Sequence, residues 1–198
     1  MNIIQFIGRR LQFFVAVLAL SALSSCGYND IVEKQEKVSG SWAQVQNVYQ
    51  RRSDLIPNLV NTVKGAADFE KSTLTAVMEA RAKATQVTLK ADELTPEKVK
   101  QYQQAQQGLS SALSRLMVVS ENYPNLKANQ NFLDLQSQLE GTENRITVER
   151  MKFNESVQDY NTYIQKFPTN LTAKMFSFEK KGYFEAEASA QKAPQVQF

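Results

Sequence analysis

Charged side chains that could bind a ligand stand together in the stretch Arg51-Arg52-Ser53-Asp54. A guanidinium group binds carboxylate or phosphate through two parallel hydrogen bonds, so this cluster could hold an anionic group. The structural alternative is that Arg52 pairs with a core-facing acid such as Glu149 and fixes the alignment of two helices. We favour the structural role, because single polar residues at helix contact positions commonly set alignment.

A second candidate is the acid-rich stretch that contains Glu140, Glu143 and Arg145. Two carboxylates on neighbouring helices can bind a hard cation or act as a general acid and a general base. Glu140 and Glu143, however, are three residues apart on one helix face, and Arg145 is nearby. This spacing favours a solvated or alignment-setting surface, so we predict no metal ligand and no catalytic residue here.

The composition of the chain limits its chemistry further, because its 198 residues contain no histidine and one cysteine. A histidine general base, a Glu-x-x-His di-iron site and a His–Cys zinc site are therefore excluded. The formal charge of +3 lacks the concentrated basic excess that is typical of nucleic-acid-binding proteins. We expect a protein that is not an enzyme, needs no cofactor and binds no nucleic acid.

Residues 1–25 have the layout of a secretory signal peptide. Arg9 and Arg10 give a positively charged start, an apolar run follows, and small residues dominate the end. The apolar run from Leu11 to Leu23 is 13 residues long, whereas a helix needs about 20 residues to span a bilayer. Extending the run backwards would place both arginines in hydrocarbon, which is costly. A cleaved signal peptide is thus favoured over a spanning helix.

The single cysteine follows this segment directly, in Leu23-Ser24-Ser25-Cys26-Gly27. The stretch resembles the lipobox of bacterial lipoproteins, in which the cysteine thiol receives a diacylglycerol and the chain is cleaved before it. The alternative is an ordinary signal peptide with an incidental cysteine. Several acyl chains, such as palmitate, on one residue anchor a protein stably. We predict lipidation of Cys26 and a lipid-anchored protein on a bacterial membrane, facing the periplasm or the cell exterior.

The elements that must position these residues are helices, because apolar residues recur at alternating steps of three and four. Strict two-residue alternation over comparable lengths is absent, so no sheet is predicted. Three series carry the pattern, with Gln35 and Arg52 out of character in the first: Ile31, Gln35, Val38, Trp42, Val45, Tyr49, Arg52, Ile56, Leu59, Val63, Ala66; Val99, Tyr102, Gln106, Leu109, Leu113, Leu116; and Phe132, Leu135, Leu139, Thr142, Ile146, Glu149, Phe153, Ser156, Tyr160, Tyr163, Phe167.

Prolines mark the predicted helix boundaries. Thr95-Pro96 is an N-cap followed by proline at the first helical position. Tyr123-Pro124 ends that helix, Asn125–Asn129 is a short turn, and a helix of about 38 residues follows up to Phe167-Pro168. Pro57 interrupts a pattern that continues across it, so we expect the first helix to continue with a kink.

These boundaries predict an all-α protein, an elongated antiparallel three- to four-helix bundle with long heptad-patterned helices. We predict that the bundle domain covers residues 26–185 and ends with a short helix over Asn170–Gly182. Residues 186–198 read as a flexible C-terminal tail.

Two further clusters have a structural and a functional interpretation. The first is a set of aromatic residues that either caps one end of the core, the favoured interpretation, or forms an exposed docking patch. Its members are Phe167, Phe176, Phe178, Tyr183 and Phe184. The second is the glutamine-rich run from Gln101 to Gln107, which could drive association and is most simply a polar helix face.

Long motifs across residues 28–185 resemble those of the LemA family of bacterial envelope proteins. The resemblance implies an antiparallel helical bundle tethered to a membrane at its N-terminus, with no established catalytic activity. LemA-like proteins usually begin with an uncleaved spanning segment, whereas this chain has a lipobox. The matching stretches are Tyr28-Asn29, Arg51-Arg52-x-Asp54-Leu55-Ile56-Pro57-Asn58-Leu59-Val60, Glu121-x-Tyr123-Pro124-x-Leu126-Lys127-Ala128, Asn131-Phe132, Leu139-Glu140-x-Thr142-Glu143-Asn144-x-Ile146 and Phe153-Asn154-x-x-Val157-x-x-Tyr160-Asn161-x-x-Ile164-x-x-Phe167-Pro168.

The hypothesis that follows is a membrane-tethered lipoprotein bundle that binds an envelope protein or self-associates as a scaffold. The alternative is a hydrolase or small-ligand-binding module that uses carboxylates and arginines near Pro57. That alternative requires convergence of its charged residues on a solvent-open cleft, and the candidates are Arg52, Asp54, Glu143 and Glu149.

Overall fold

The computed structural model describes the backbone of residues 3–65 and 69–185, and the side chains of residues 27–65 and 69–185. This described part is helical and contains no β strand, which confirms the all-α class. A short 3-10 turn at Ala91–Glu93 precedes the third of its six helices. The helices are α1 (Ile3–Lys64), α2 (Lys71–Gln86), α3 (Pro96–Ser120), α4 (Pro124–Lys127), α5 (Gln130–Tyr163) and α6 (Thr169–Met175).

The helix α1 continues through Pro57, as the unbroken apolar pattern predicts. Its contact residues are buried from Ile31 to Val63, with Gln35 half-buried and Ala66 outside the described residues. The α3 series is buried throughout. The α5 series is buried or half-buried except at Phe167, where the side chain is 80% exposed. Spacing alone therefore identifies the buried faces of three helices.

The helices α1 and α5 pack along much of their lengths. Lys34 Nζ lies 2.6 Å from Asp159 Oδ2, and Arg52 Nη1 lies 2.9 Å from Glu143 Oε2. Between them, the hydroxyl groups of Ser41 and Ser156 are 2.7 Å apart. Residue numbers rise along α1 as they fall along α5, so the two helices run in opposite directions.

The buried apolar residues form two clusters. One surrounds Trp42 and includes Tyr102, Phe153 and Phe184. The other contains mainly leucine, valine and phenylalanine side chains between Ile56 and Leu139, among them Leu59. Arg52 lies on α1 between Tyr49 of the first cluster and Ile56 of the second. A charged side chain therefore occupies the junction of two apolar cores.

Three boundaries differ from the sequence-based expectations. The helix α1 ends at Lys64, and Lys71–Gln86 forms a separate helix that the pattern did not distinguish. The helix α5 begins at Gln130 as expected but has 34 residues rather than about 38, because it ends at Tyr163 and the chain from Ile164 to Pro168 forms turns. The last helix stops at Met175, a turn follows at Phe176 and Ser177, and the chain from Phe178 to Glu185 is not helical. Its backbone groups find other partners, described below.

The predicted cap at the start of α3 is confirmed. Proline occupies the first helical position, and Thr95 Oγ1 accepts a hydrogen bond from the backbone N–H of Lys98 at 3.4 Å. Asn129 caps α5 in the same way through the N–H of Phe132. Within the part of the chain whose side chains are described, none of the helices combines the length and apolar character needed to cross a bilayer.

Candidate functional site

The Arg52 guanidinium group is buried at the junction of the two apolar clusters and is 1% exposed. Its Nη1 donates to Glu143 Oε2 at 2.9 Å and to Ser110 Oγ at 2.7 Å. Its Nη2 donates to the side-chain oxygen of Gln106 at 2.7 Å and to the backbone oxygen of that residue at 3.3 Å. The group also lies 5.0 Å from the centre of the Tyr49 ring. Arg52 thus connects α1 with α3 and α5.

The acid that pairs with Arg52 is Glu143 and not the expected Glu149. Glu149 accepts instead from Lys152 Nζ at 2.8 Å on its own helix. The structural role predicted for Arg52 is supported by this network, whereas the named partner was wrong. The reason is the position of these residues along the helix axes. The two glutamates are nearly two helical turns apart, and the stagger of α1 against α5 places Glu143 at the level of Arg52.

The charged residues required by the hydrolase alternative do not converge in one cleft. Asp54 is exposed and accepts from Gln50 Nε2 at 2.8 Å. Glu140 is exposed and accepts from Gln136. An open groove of about 310 Å³ borders the Arg52–Glu143 pair, but neither Asp54 nor Glu149 lines it. Among the described residues, no cluster of three or more histidine, cysteine or acidic side chains could hold a metal ion.

A second site lies where residues 181–185 run in extended form over α3 and α5. Three side-chain amides each bind both backbone groups of one segment residue, as a neighbouring β strand would. Asn161 binds the C=O and N–H of Lys181, each at 2.9 Å. Asn154 binds the C=O and N–H of Phe184, each at 2.9 Å. Gln103 binds Glu185 at 2.9 and 3.0 Å. We call Lys181–Glu185 the terminal segment.

The side chain of Phe184 anchors the terminal segment in the first apolar cluster and is 4% exposed. Its ring lies 5.5 Å from the Phe153 ring and 6.1 Å from the Trp42 ring. The Arg150 guanidinium lies 4.9 Å from its centre on the outer side. Gly182 passes so close to α3 that an added Cβ would lie 2.6 Å from Pro96 Cα. The segment is therefore held by its backbone, one aromatic ring and one glycine.

The aromatic cluster predicted near the C-terminus is divided in the structure. Phe184 is a core residue, Phe178 is half-buried, and Phe176 contacts Tyr28 with ring centres 4.8 Å apart. Tyr183 is 41% exposed. The expected end cap is therefore only partly formed, because Phe184 inserts along the side of the helices.

The glutamine-rich run is not simply a polar surface. Gln103 and Gln106 are buried, and both hold backbone groups of other elements. Asn154, Asn161 and Gln103 were not predicted to have a role. Their signal in the sequence is that Asn154 and Asn161 are one heptad apart, so they share a helix face beside the apolar series. Their partners are 20 to 82 residues away, so no local pattern reveals them.

Two buried tyrosines next to these networks predict an alkaline transition. Burial raises the pKa of Tyr160 to about 12, and its hydroxyl donates to the backbone oxygen of Glu179 at 3.1 Å. Burial also raises the pKa of Tyr102. Because the folded pKa exceeds the unfolded value of about 10, the stabilisation is present below pH 10 and lost as pH rises through about 12.

Tyrosinate absorbance and circular dichroism measured together across this alkaline range would test the expected transition. We expect the last tyrosines to ionise together with unfolding. A matched Tyr160→Phe protein should lose one late-ionising group. Ionisation of all tyrosines near pH 10 with the helices intact would contradict the expectation.

Comparison with known proteins places these features in a family. The LemA family model matches residues 41–198. The magnetosome protein MamQ 2 of Paramagnetospirillum magneticum is 26% identical over 188 residues, which cover 86% of this chain and 69% of that protein. The magnetosome protein MamQ of Magnetospirillum gryphiswaldense is 25% identical over 195 residues, covering 88% and 72%. Protein LemA of Metamycoplasma hominis is 22% identical over 175 residues, covering 88% and 76%. Since the family model matches well over half of the chain, this protein belongs to the LemA family.

Proposed function

We propose that this protein is a lipid-anchored, non-catalytic binding or scaffolding module of the bacterial cell envelope. The observation that carries the proposal is that the buried polar side chains bind other parts of the chain. The best candidates for chemistry, Arg52 and Glu143, bind each other and neighbouring helices. The amides of Gln103, Asn154 and Asn161 bind an extended stretch of chain. Residues with these roles support recognition and assembly rather than bond cleavage.

The arrangement that we propose for this module is an elongated antiparallel bundle of the four long helices. The opposite directions of α1 and α5 support it, as does the packing of α2 against α3. The long helices of such a bundle suit a scaffold, because their outer faces offer extended surfaces to partners. We infer that the partner is an envelope protein or another copy of this chain.

The membrane attachment in this proposal depends on Cys26, whose side chain lies outside the described residues. Support comes from the lipobox-like sequence and from relatives named as magnetosome proteins. We expect Cys26→Ser to abolish incorporation of a labelled fatty acid, because the thiol is the acylated atom. The variant should also leave the membrane fraction or accumulate uncleaved.

A suitable control is Ser24→Ala, which leaves the thiol in place and should keep the label. Fatty-acid labelling of cells that express each protein, followed by membrane fractionation, measures both effects. An unlabelled wild-type protein would overturn the anchor, and so would a Cys26→Ser protein that is labelled and cleaved normally.

The scaffolding role is tested by crosslinking in the native membrane followed by purification and mass spectrometry. We expect a reproducible crosslinked partner, either another envelope protein or a second copy. Recovery of free monomer alone, at crosslinker levels that capture a known membrane complex in the same cells, would contradict the scaffolding role.

A further inference from the structure

The terminal segment is bound in the way that proteins bind a separate extended peptide. Its backbone donors and acceptors at Lys181, Phe184 and Glu185 pair with three side-chain amides. The N–H of Gly182 donates to the backbone oxygen of Leu94 at 2.8 Å. Such contacts give affinity through the main chain, and pockets for side chains supply specificity. The groove and the segment thus form a receptor and its ligand within one chain.

The groove also discriminates among sequences. At position 182 it accepts only glycine without rearrangement, since a Cβ would meet backbone atoms of Pro96 and Thr95 at 2.6 to 2.9 Å. At position 184 it accepts an aromatic ring between Phe153 and Trp42. A ligand must therefore present a glycine two residues before an aromatic residue. The same five residues of a second copy satisfy every one of these requirements.

The connection between α6 and the terminal segment holds one residue in an unfavourable conformation. Ser177 has φ 56°, in the left-handed region that L-residues other than glycine seldom adopt. It lies within the hinge Phe176–Lys180, where the N–H of Phe178 donates to the oxygen of Ala173 at 2.9 Å and closes the turn. Short hinges under strain favour the exchange of a terminal element between copies. Opening of this turn as the segment crosses to another copy would let Ser177 adopt a favoured conformation.

We propose that the terminal segment exchanges between two copies, each inserting Phe184 into the groove of the other. Exchange keeps every contact of the segment, so its cost is the loss of the intramolecular connection and of hinge contacts, such as the hydrogen bond from Tyr160 to the Glu179 oxygen. Anchoring on one membrane raises the local concentration of copies and lowers that cost. This inference rests on the proposed function as a self-associating scaffold and specifies the surface that joins the copies.

Two cysteine variants of the full chain report exchange directly. Met151→Cys is placed in one tagged copy and Tyr183→Cys in a differently tagged copy. Both positions are exposed and line the same groove of about 710 Å³ beside the terminal segment. The two copies are purified together in detergent and treated with a short bismaleimide. We expect a crosslinked heterodimer, because exchange places position 183 of one copy beside position 151 of the other.

Substitutions of the exposed Ser177 test the hinge without touching the groove. Ser177→Gly removes the conformational cost of the closed turn, and Ser177→Val increases it. A left-handed conformation at an L-residue lowers the equilibrium constant for closing the turn about tenfold. We therefore expect the amount of crosslinked heterodimer to fall about tenfold or more in Ser177→Gly and to rise in Ser177→Val. Both variants should keep the wild-type circular dichroism.

The control pair combines Tyr183→Cys with Val118→Cys, an exposed position on α3 that does not line this groove. Chains without the introduced cysteines give the background from Cys26. A heterodimer no stronger than the control pair, or one unaffected by Ser177→Gly and Ser177→Val, would overturn the proposal. Crosslinking of Tyr183→Cys to a different protein only would also overturn it. The assay is run in detergent and does not depend on the lipid anchor. It can therefore fail while fatty-acid labelling of Cys26 succeeds, and it can succeed while that labelling fails.

Discussion

Replacing Arg52 with alanine is expected to lower the free energy of unfolding by about 3 kcal/mol. The guanidinium group is buried and makes hydrogen bonds to Ser110, Gln106 and Glu143. Its removal leaves a cavity between the two apolar clusters and deprives the buried amide oxygen of Gln106 of its donor. Unsatisfied buried polar groups are costly. Glu143 is half-exposed and can be rehydrated, which keeps the loss below that for a fully buried pair.

The matched control is the neighbouring Arg51→Ala, since Arg51 is exposed on the same helix. That change is expected to alter stability by no more than about 0.5 kcal/mol. Urea unfolding followed by circular dichroism measures both values. If the two variants proved equally stable, the guanidinium network would have no role in holding α1, α3 and α5 together.

The same chemical change, glycine to alanine, is expected to have opposite effects at two positions. Gly182→Ala places a methyl group against backbone atoms of Pro96 and Thr95, which cannot move aside easily. The terminal segment must then lift away, and Phe184 loses its burial, which costs about 3 kcal/mol. Gly141→Ala lies within α5 with open space around it and should stabilise the helix by about 0.5 to 1 kcal/mol.

Urea unfolding gives the two stability changes, and limited proteolysis shows whether the terminal segment has been released. We expect cleavage after Lys180 or Lys181 by trypsin to accelerate in Gly182→Ala and to stay slow in Gly141→Ala. Equal stability of both variants, with the segment still protected, would show that the close approach of Gly182 to Pro96 is not a constraint in solution.

The sequence predicted those features that depend on local spacing. Steps of three and four place Trp42, Leu109 and Phe153 on buried faces, because the helical repeat alone decides which side they occupy. The N-cap at Thr95 is likewise decided within four residues. Pro57 did not end its helix, since apolar residues on both sides of it are buried.

Other features depend on how distant elements meet, and these were not predictable from local patterns. The choice of Glu143 over Glu149 as the partner of Arg52 is set by the stagger of two helices. Asn154 and Gln103 bind backbone groups 30 and 82 residues away. The course of the terminal segment follows from those side chains and from the close approach of Gly182 to Pro96.

The unbroken course of α1 through Lys64 has a mechanical consequence. Gly27, which follows the proposed acylated residue, is already helical, and the helix from there to Lys64 is about 57 Å long. In a lipoprotein with a flexible linker, the folded domain changes its distance and orientation relative to the lipid. Here the lipid would be attached directly to the start of a continuous helix. The helix would then hold the bundle at a fixed distance from the lipid, and copies anchored in the same leaflet would present their grooves at similar heights.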